Sequence, residues 1–166
     1  MAVLYAFAGL PGVGKTTLAI ALAKRTGATY LRVDAVEQGL RDTCRLHIHA
    51  EGYELAAYMA TDCLKQGLSV ICDSCNTVAA SRVGWQQAAD AAGAACINIE
   101  VICSDAEEHR CRVENRESSL PGLIVPTWSA VQAREYEAWL VPVIGIDTAG
   151  KSAQACSEEL FASLGV

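Results

Sequence analysis

No stretch of this sequence approaches the ~18 consecutive apolar residues that a membrane-crossing helix requires, so a spanning protein is not expected. The apolar start, MAVLYAFAG, lacks the basic flank of a secretion signal and runs straight into a glycine-rich loop, and a cytoplasmic protein is the expectation. Positive charge is scarce too. Only 13 Lys and Arg face 19 Asp and Glu, for a net charge of −6. A protein that lives on extended nucleic acid or an anionic membrane needs a broad basic surface, and this balance argues against both partners. It leaves room for a local basic pocket. A second CxxC is also missing. CDSC supplies Cys72 and Cys75, and Cys44, His47 and His49 are close in the chain, but no comparable pair completes a four-ligand zinc site. The eight Cys lie mostly in apolar runs such as SVIC and NIEVIC, and read as small core residues of a reducing compartment. No repeat and no linker divides the 166 residues, of which 52% are hydrophobic, so one folded domain over 1–166 is expected.

What the sequence does have is alternation. VLYAFA (3–8) is a continuous apolar run ending at a glycine turn, which suits a strand covered on both faces. Lys15 to about Arg25 reads as a helix closed by Gly27. TYLRVD (29–34) is a second strand, followed by helical segments at 35–46 and 52–66, the latter ended by Gly67. LSVICD (68–73) is a third strand, 78–92 an Ala-rich helix stopped by Gly93, and ACINIEVICS (95–104) a fourth strand. Ser104 and Glu107 have the spacing of a capping box for the next helix. Residues 117–126 break the pattern; a helix from Thr127 to about Trp139, the strand VIGID (143–147) and a last helix to Leu164 complete the chain. Strands that alternate with helices imply a parallel sheet in a three-layer α/β/α sandwich.

The pattern GxxxxGK[ST] occurs twice, as GLPGVGKT at 9–16 and GIDTAGKS at 145–152. A phosphate-binding loop needs a buried strand that ends, glycines that let backbone N–H groups converge, and a helix N-terminus. GLPGVGKT has all three. Gly9, Pro11, Gly12, Val13, Gly14, Lys15, Thr16 and Thr17 are therefore the expected nucleotide contacts, with Lys15 reaching the terminal phosphates and Thr16 placed to ligate Mg²⁺. GIDTAGKS fails on each point that matters. Gly145 lies inside the expected strand, and Asp147 would put a negative charge in the phosphate nest. Its DTAG also imitates the DxxG switch of GTPases, but no NKxD occurs in the sequence. The second match reads as a strand end, a turn and a capped helix, with Lys151 on the surface of that helix.

Ligands of such sheets gather beyond the C-terminal strand ends. Asp34 and Asp73 close the second and third strands there. SVICD has the form of a metal-linked acid, which leaves Asp34 available as the carboxylate that accepts a proton from a hydroxyl acceptor. Either Asp can also serve as a turn or helix cap. In HRCRVENRE, Arg112 and Arg116 are spaced i, i+4 and would share one helix face before a Pro/Gly loop, as a lid over a transferring phosphoryl would. A solvated helix pairing with its own glutamates is the plainer reading. Arg110 and Arg134 are further lid candidates, Asn76 a candidate for positioning the acceptor or its loop, and Arg41 and Arg45 candidates for an anionic group on the acceptor.

The order GLPGVGKTT, YLRVD, VICDSCN, RCRVENR resembles the AAA-type small kinases of the P-loop superfamily, relatives of the kinase half of phage polynucleotide kinase, chloramphenicol phosphotransferase, zeta toxins and gluconate kinase. The resemblance covers about residues 3–164. It implies a five-stranded parallel sheet of order 2-3-1-4-5, a lid over about 110–134, and ATP with Mg²⁺ as cofactors. It implies phosphate and metal contacts at Lys15 and Thr16, a general base at Asp34, and Asp73 by the metal or the acceptor. Arg116, with Arg112, would be the lid arginine, and the loop Thr148–Gly150 would lie beside the adenine. The sequence departs from relatives that carry a DGFPR-like motif or a DxD after the second strand; it reads DAV. The implied activity is ATP-dependent transfer of phosphate to a hydroxyl of a small molecule or nucleotide, with the acceptor left open. An ATP-hydrolysing switch acting on a protein partner and a cysteine-based redox or metal module are the alternatives.

Overall fold

The computed structural model describes residues 1–45, 47–118 and 120–166. Its elements run β1 (Val3–Ala8), α1 (Lys15–Thr26), β2 (Thr29–Arg32), α2 (Val33–Cys44), α3 (Glu51–Lys65), β3 (Val70–Asp73), α4 (Ala79–Asp90), β4 (Ala95–Ile102), α5 (Ala106–Glu114), α6 (Trp128–Gln132), β5 (Ile144–Asp147) and α7 (Ala153–Leu164). The five strands form one sheet of order β2-β3-β1-β4-β5, parallel at every pairing. This is the expected topology. Leu46, at the end of the expected helix 35–46, and Ser119, in the expected loop 117–126, lie outside the described residues.

The apolar run of β1 is explained by its central place. Successive strand side chains point to opposite faces. Leu4 and Ala6 enter one core with Ala60, Leu64 and Trp85 from α3 and α4. Tyr5 and Phe7 enter the other with Leu18 and Leu22 from α1 and Leu160 from α7. Both faces of β1 are thus dry, and its C-terminal end is held firmly where the glycine loop begins. Truncating Phe7, which is fully buried, to Ala should cost about 3–5 kcal/mol of stability.

Local sequence misleads at four places. β2 ends at Arg32, so Asp34 sits in the first turn of α2 rather than at a strand end. Asp105, not Ser104, caps α5: its Oδ1 accepts from the backbone N–H groups of Glu107 and Glu108 at 3.0 and 2.9 Å. Ser104 is committed elsewhere, its N–H donating to Asp147 Oδ1 at 3.0 Å. α5 stops at Glu114, where Asn115 turns its Nδ2 back onto the Cys111 carbonyl at 2.8 Å, so Arg116 lies past the helix and does not share its face with Arg112.

The fourth is the helix expected to Trp139, which ends at Gln132. A distant arginine claims the backbone that follows. Buried Arg82 donates to the carbonyls of Glu137 and Ala138 at 2.8 and 3.0 Å, and to those of Asn76 and Thr77 at 3.2 and 3.1 Å. Its guanidinium lies 3.8 Å from the centre of the Trp139 ring. Tyr136 Oη and Trp139 Nε1 donate to Glu100 Oε1 at 2.6 and 2.8 Å. Tertiary bonds of this number override a weak local helix propensity, and residues 133–143 become a strap that pins the loop after β3.

Candidate active site

A cavity of ≈ 840 Å³ opens beyond the C-terminal ends of the strands. Its floor is the loop 9–14. Gly9, Gly12 and Gly14 adopt φ of 139°, 88° and 101°, values that side chains rarely tolerate. Space excludes side chains as well. A Cβ on Gly9 would overlap the Val101 carbonyl, and one on Gly12 would come within 2.6 Å of Val113 Cγ2. The loop is therefore pressed between β4 and α5. His109 of α5 fastens it, its Nε2 lying 2.8 Å from the Pro11 carbonyl. A carbonyl only accepts, so Nε2 is the donor and carries the proton. The imidazole is held edge-on to Trp128, with ring centres 5.0 Å apart.

Lys15 and Thr16 open α1 directly behind the loop. Lys15 is buried, and its Nζ donates to the Leu10 carbonyl at 2.8 Å. Thr16 Oγ1 donates to Asp73 Oδ2 at 2.7 Å. Tyr30 Oη donates to the same carboxylate oxygen, also at 2.7 Å. Burial, and then the Asp73 charge, push the Tyr30 phenol well above its ordinary pKa, so it stays a donor. Thr16, Tyr30 and Asp73 thus form one hydrogen-bonded group that turns the acid toward the head of α1.

Asp34 lines the same cavity from α2, with its side chain 40% exposed. Arg32 Nη2 lies 3.4 Å from Asp34 Oδ2. One turn further along α2, Glu37 accepts from Arg41 at 3.1 Å, and both line the cavity. Tyr53 of α3 completes this wall; its hydroxyl accepts from the Asn76 N–H at 3.1 Å, and burial raises its pKa to about 12. Asn76 itself is buried in a left-handed turn, its Oδ1 accepting from Ser81 Oγ, and does not line the cavity. Arg45 caps the end of α2 and does not line the cavity.

At the opposite end Arg112 donates to Thr148 Oγ1 and O at 2.8 and 3.0 Å, and to Glu108 Oε1 at 2.6 Å. Thr148 Oγ1 in turn lies 3.0 Å from the carbonyls of Val13 and Ile102. Glu108 Oε2 accepts from Gly150 N–H at 2.8 Å. The loop after β5 is thereby tied to the glycine loop and to α5. Arg116 and Arg134 also line the cavity, and neither has a side-chain hydrogen bond or ion pair among the described residues. Arg110 does not line it; its Nε donates to Glu114. Gly145 is within β5, and Lys151 precedes the α7 cap Ser152 rather than lying on the helix, its Nζ donating to Glu159 at 2.6 Å on the cavity rim.

The cavity thus gathers Pro11, Gly12, Gly14, Lys15, Thr16 and Thr17 with Asp34, Asp73, Arg112, Arg116 and Thr148. Gly9 and Val13 stand just behind it, along a smaller hollow. Tyr30 and His109 were not visible as site residues in the sequence. The only signal for Tyr30 is its alternation with Arg32 along β2; His109 carried none. Among the described residues no group of three or more His, Cys, Asp or Glu gathers as a metal site, all eight cysteines are free thiols, and no helix is long and apolar enough to cross a membrane.

The profile of a family described as "AAA domain" matches residues 4–123. No curated protein matches the chain. Among solved structures, the Mycobacterium tuberculosis APS kinase CysC in complex with AMPPNP and APS is 18% identical with a TM-score of 0.73, over 99% of this chain and 98% of that one. A sugar kinase from Janibacter sp. HTCC2649 is 18% identical with a TM-score of 0.70, over 100% and 95% of the two chains. A gluconokinase from Sinorhizobium meliloti 1021 is 15% identical with a TM-score of 0.66, over 97% and 90%. At these identities the likeness is one of fold.

Proposed function

The chain belongs to the AAA-domain family, and from that premise we propose that it is an ATP-dependent phosphotransferase, acting on a hydroxyl of a small molecule or nucleotide. One observation carries the reading. The cavity holds a second carboxylate, Asp34, in addition to the Asp73 bonded to Thr16. It stands free of the Thr16 group on the wall where an acceptor would lie, and a kinase needs such a carboxylate to take the acceptor's proton. The fold shared with an APS kinase solved with AMPPNP supports ATP as the donor.

In this reading Lys15 exchanges the Leu10 carbonyl for terminal phosphate oxygens, while the N–H groups of the glycine loop hold the remaining phosphates. Thr16 and Asp73 are hard oxygen donors with room for water and phosphate oxygens beside them, which suits Mg²⁺. Bound there, the ion would neutralise charge on the phosphates. Asp34 accepts the acceptor's hydroxyl proton as the new O–P bond forms. The bond from the γ-phosphorus to its bridging oxygen breaks, and ADP leaves. Arg116, in a lid over about 110–134, stabilises the transferring group, while Arg112, anchored by Thr148 and Glu108, flanks the nucleotide. The enzyme works as one domain over 1–166, in the cytoplasm.

The test is ADP release from Mg·ATP across a library of alcohols and nucleotides. An acceptor should raise release above solvent hydrolysis, and Asp34→Asn should lower turnover on that acceptor by about 10²–10⁴-fold. Full activity of Asp34→Asn would exclude the base role. Release that no acceptor stimulates would favour an ATP-hydrolysing switch.

A further inference from the structure

The cavity concentrates the opposite charge to the rest of the molecule. Seven of the 13 Lys and Arg line it, against three of the 19 Asp and Glu, in a chain of net charge −6. Such a cavity focuses field on anions. The nucleotide accounts for part of this. Lys15, Arg112 and Arg116 belong to the phosphate and nucleotide side, and Lys151 is paired on the rim. Three arginines remain; Arg32 meets Asp34, which leaves Arg41 and Arg134. Arg41 stands two helical turns from Asp34 on α2, and positions seven apart share one helix face. Among the described residues only its Nη2 is used, on Glu37. Glu37 lies one turn nearer Asp34, so this bond draws the guanidinium along the cavity wall toward the reacting carboxylate. Arg134, just past α6, has no side-chain hydrogen bond or ion pair among the described residues, and the Arg82-pinned strap that follows fixes its backbone. A guanidinium presents five donors in a planar fork that matches an oxyanion, and among the described residues most of these donors are unused on both arginines.

The geometry points to an anionic acceptor: a hydroxyl compound carrying a carboxylate or phosphate several bonds from the reacting oxygen, with Arg41 as its oxyanion anchor and Arg134 as a second contact. This rests on the phosphotransferase reading, because Asp34 marks where the hydroxyl lies. A neutral acceptor would leave these donors facing water in a cavity that otherwise matches charge with charge. Glu37 has a specific part. It holds Arg41 in place while the site is empty and repels an anion that approaches without engaging the guanidinium.

The experiment is calorimetric binding to protein loaded with Mg·AMPPNP, using matched probes: gluconate against glucose, glycerol 3-phosphate against glycerol, and adenosine 3′-phosphate against adenosine. At least one anion should bind tenfold or more tighter than its neutral twin. The pairs separate the sources, since a carboxylate site favours gluconate and a phosphate site the other two anions. Arg41→Gln should erase the preference and leave AMPPNP affinity within twofold; Arg41→Lys should keep part of it. Arg134→Gln should weaken the same anion by a smaller factor. Equal binding of the twins, no binding of any anion, or a preference that survives Arg41→Gln overturns the proposal. If Arg134→Gln weakens AMPPNP instead of the anion, Arg134 belongs to the phosphates and its part here is wrong. ADP release in parallel samples, with Mg·ATP in place of the analogue, keeps the two readings apart: an anion that binds through Arg41 yet is never phosphorylated sinks the kinase reading and leaves the anion site standing.

Discussion

Residues 9–16 and 145–152 satisfy the same eight-position pattern, yet the fold treats them in opposite ways. In the first, the glycines fall after β1 has ended, three of them take left-handed φ, and a lysine is buried at the head of α1. In the second, the leading glycine is inside β5 with open space around it, and the lysine lies on the surface in an ion pair with Glu159. The third position of the second loop is Asp147, whose carboxylate accepts from the N–H groups of Ser104 and Ala149, both at 3.0 Å. Within the second loop the N–H groups of Ala149 and Gly150 are already taken by carboxylates, those of Asp147 and Glu108. A motif becomes a site only when its backbone donors are left unspent and the neighbouring elements press it into shape.

The largest effect should separate the two lysines. Lys15→Ala is expected to lower phosphoryl transfer by about 10³-fold or more, measured as kcat on any acceptor found, because it removes the charge that meets the transferring group. Next comes the clamp on the loop. His109→Ala leaves the Pro11 carbonyl without its donor and should cost about 1–3 kcal/mol in chemical denaturation, with a raised KM for ATP. A neutral phenylalanine at Tyr30 tests the acid beside the loop: Tyr30→Phe should raise the Mg²⁺ concentration needed for half-maximal turnover several-fold, as Asp73 loses one of its two donors.

How far the comparison was legible in the sequence depends on distance along the chain. The loop at 9–16, its strand and its helix are contiguous, so letters and structure agree. The sheet order followed from a resemblance carried by the motifs rather than from periodicity. Asp34 and Asp73 could be picked out because each follows an apolar run into the same crevice. The helix expected to Trp139 could not be corrected from its own letters, since Arg82 and Glu100 lie far from it in sequence and supply the bonds that hold it open. His109 is likewise one polar residue in a helix until α5 lands on the glycine loop. Arg112 and Arg116 looked like one face because the stop at Glu114 rests on Asn115, a side-chain choice with no periodicity.

Smaller effects belong to the second loop. The hydrogen bond from Ser104, together with that from Ala149, holds the Asp147 carboxyl below its ordinary pKa. A carboxyl whose folded pKa is depressed stabilises the fold above its unfolded pKa, and this contribution is lost as pH falls through the folded value. Asp147→Asn should therefore lower Tm modestly at neutral pH; the gap should begin to narrow in the unfolded carboxyl range, about pH 4, and close only as pH falls through the lower folded pKa. Lys151→Ala should change turnover by less than about twofold and stability by no more than ~0.5 kcal/mol, as for other exposed ion pairs. Sensitivity at Lys151 equal to that at Lys15 would erase the distinction between the loops.

The most direct measurement follows the phosphate itself. With γ-labelled ATP, Mg²⁺ and a hydroxyl acceptor in single turnover, the label should appear on an organic product in the wild type and remain in ATP with Lys15→Ala. Label released as inorganic phosphate, at a rate no acceptor changes, would contradict the account.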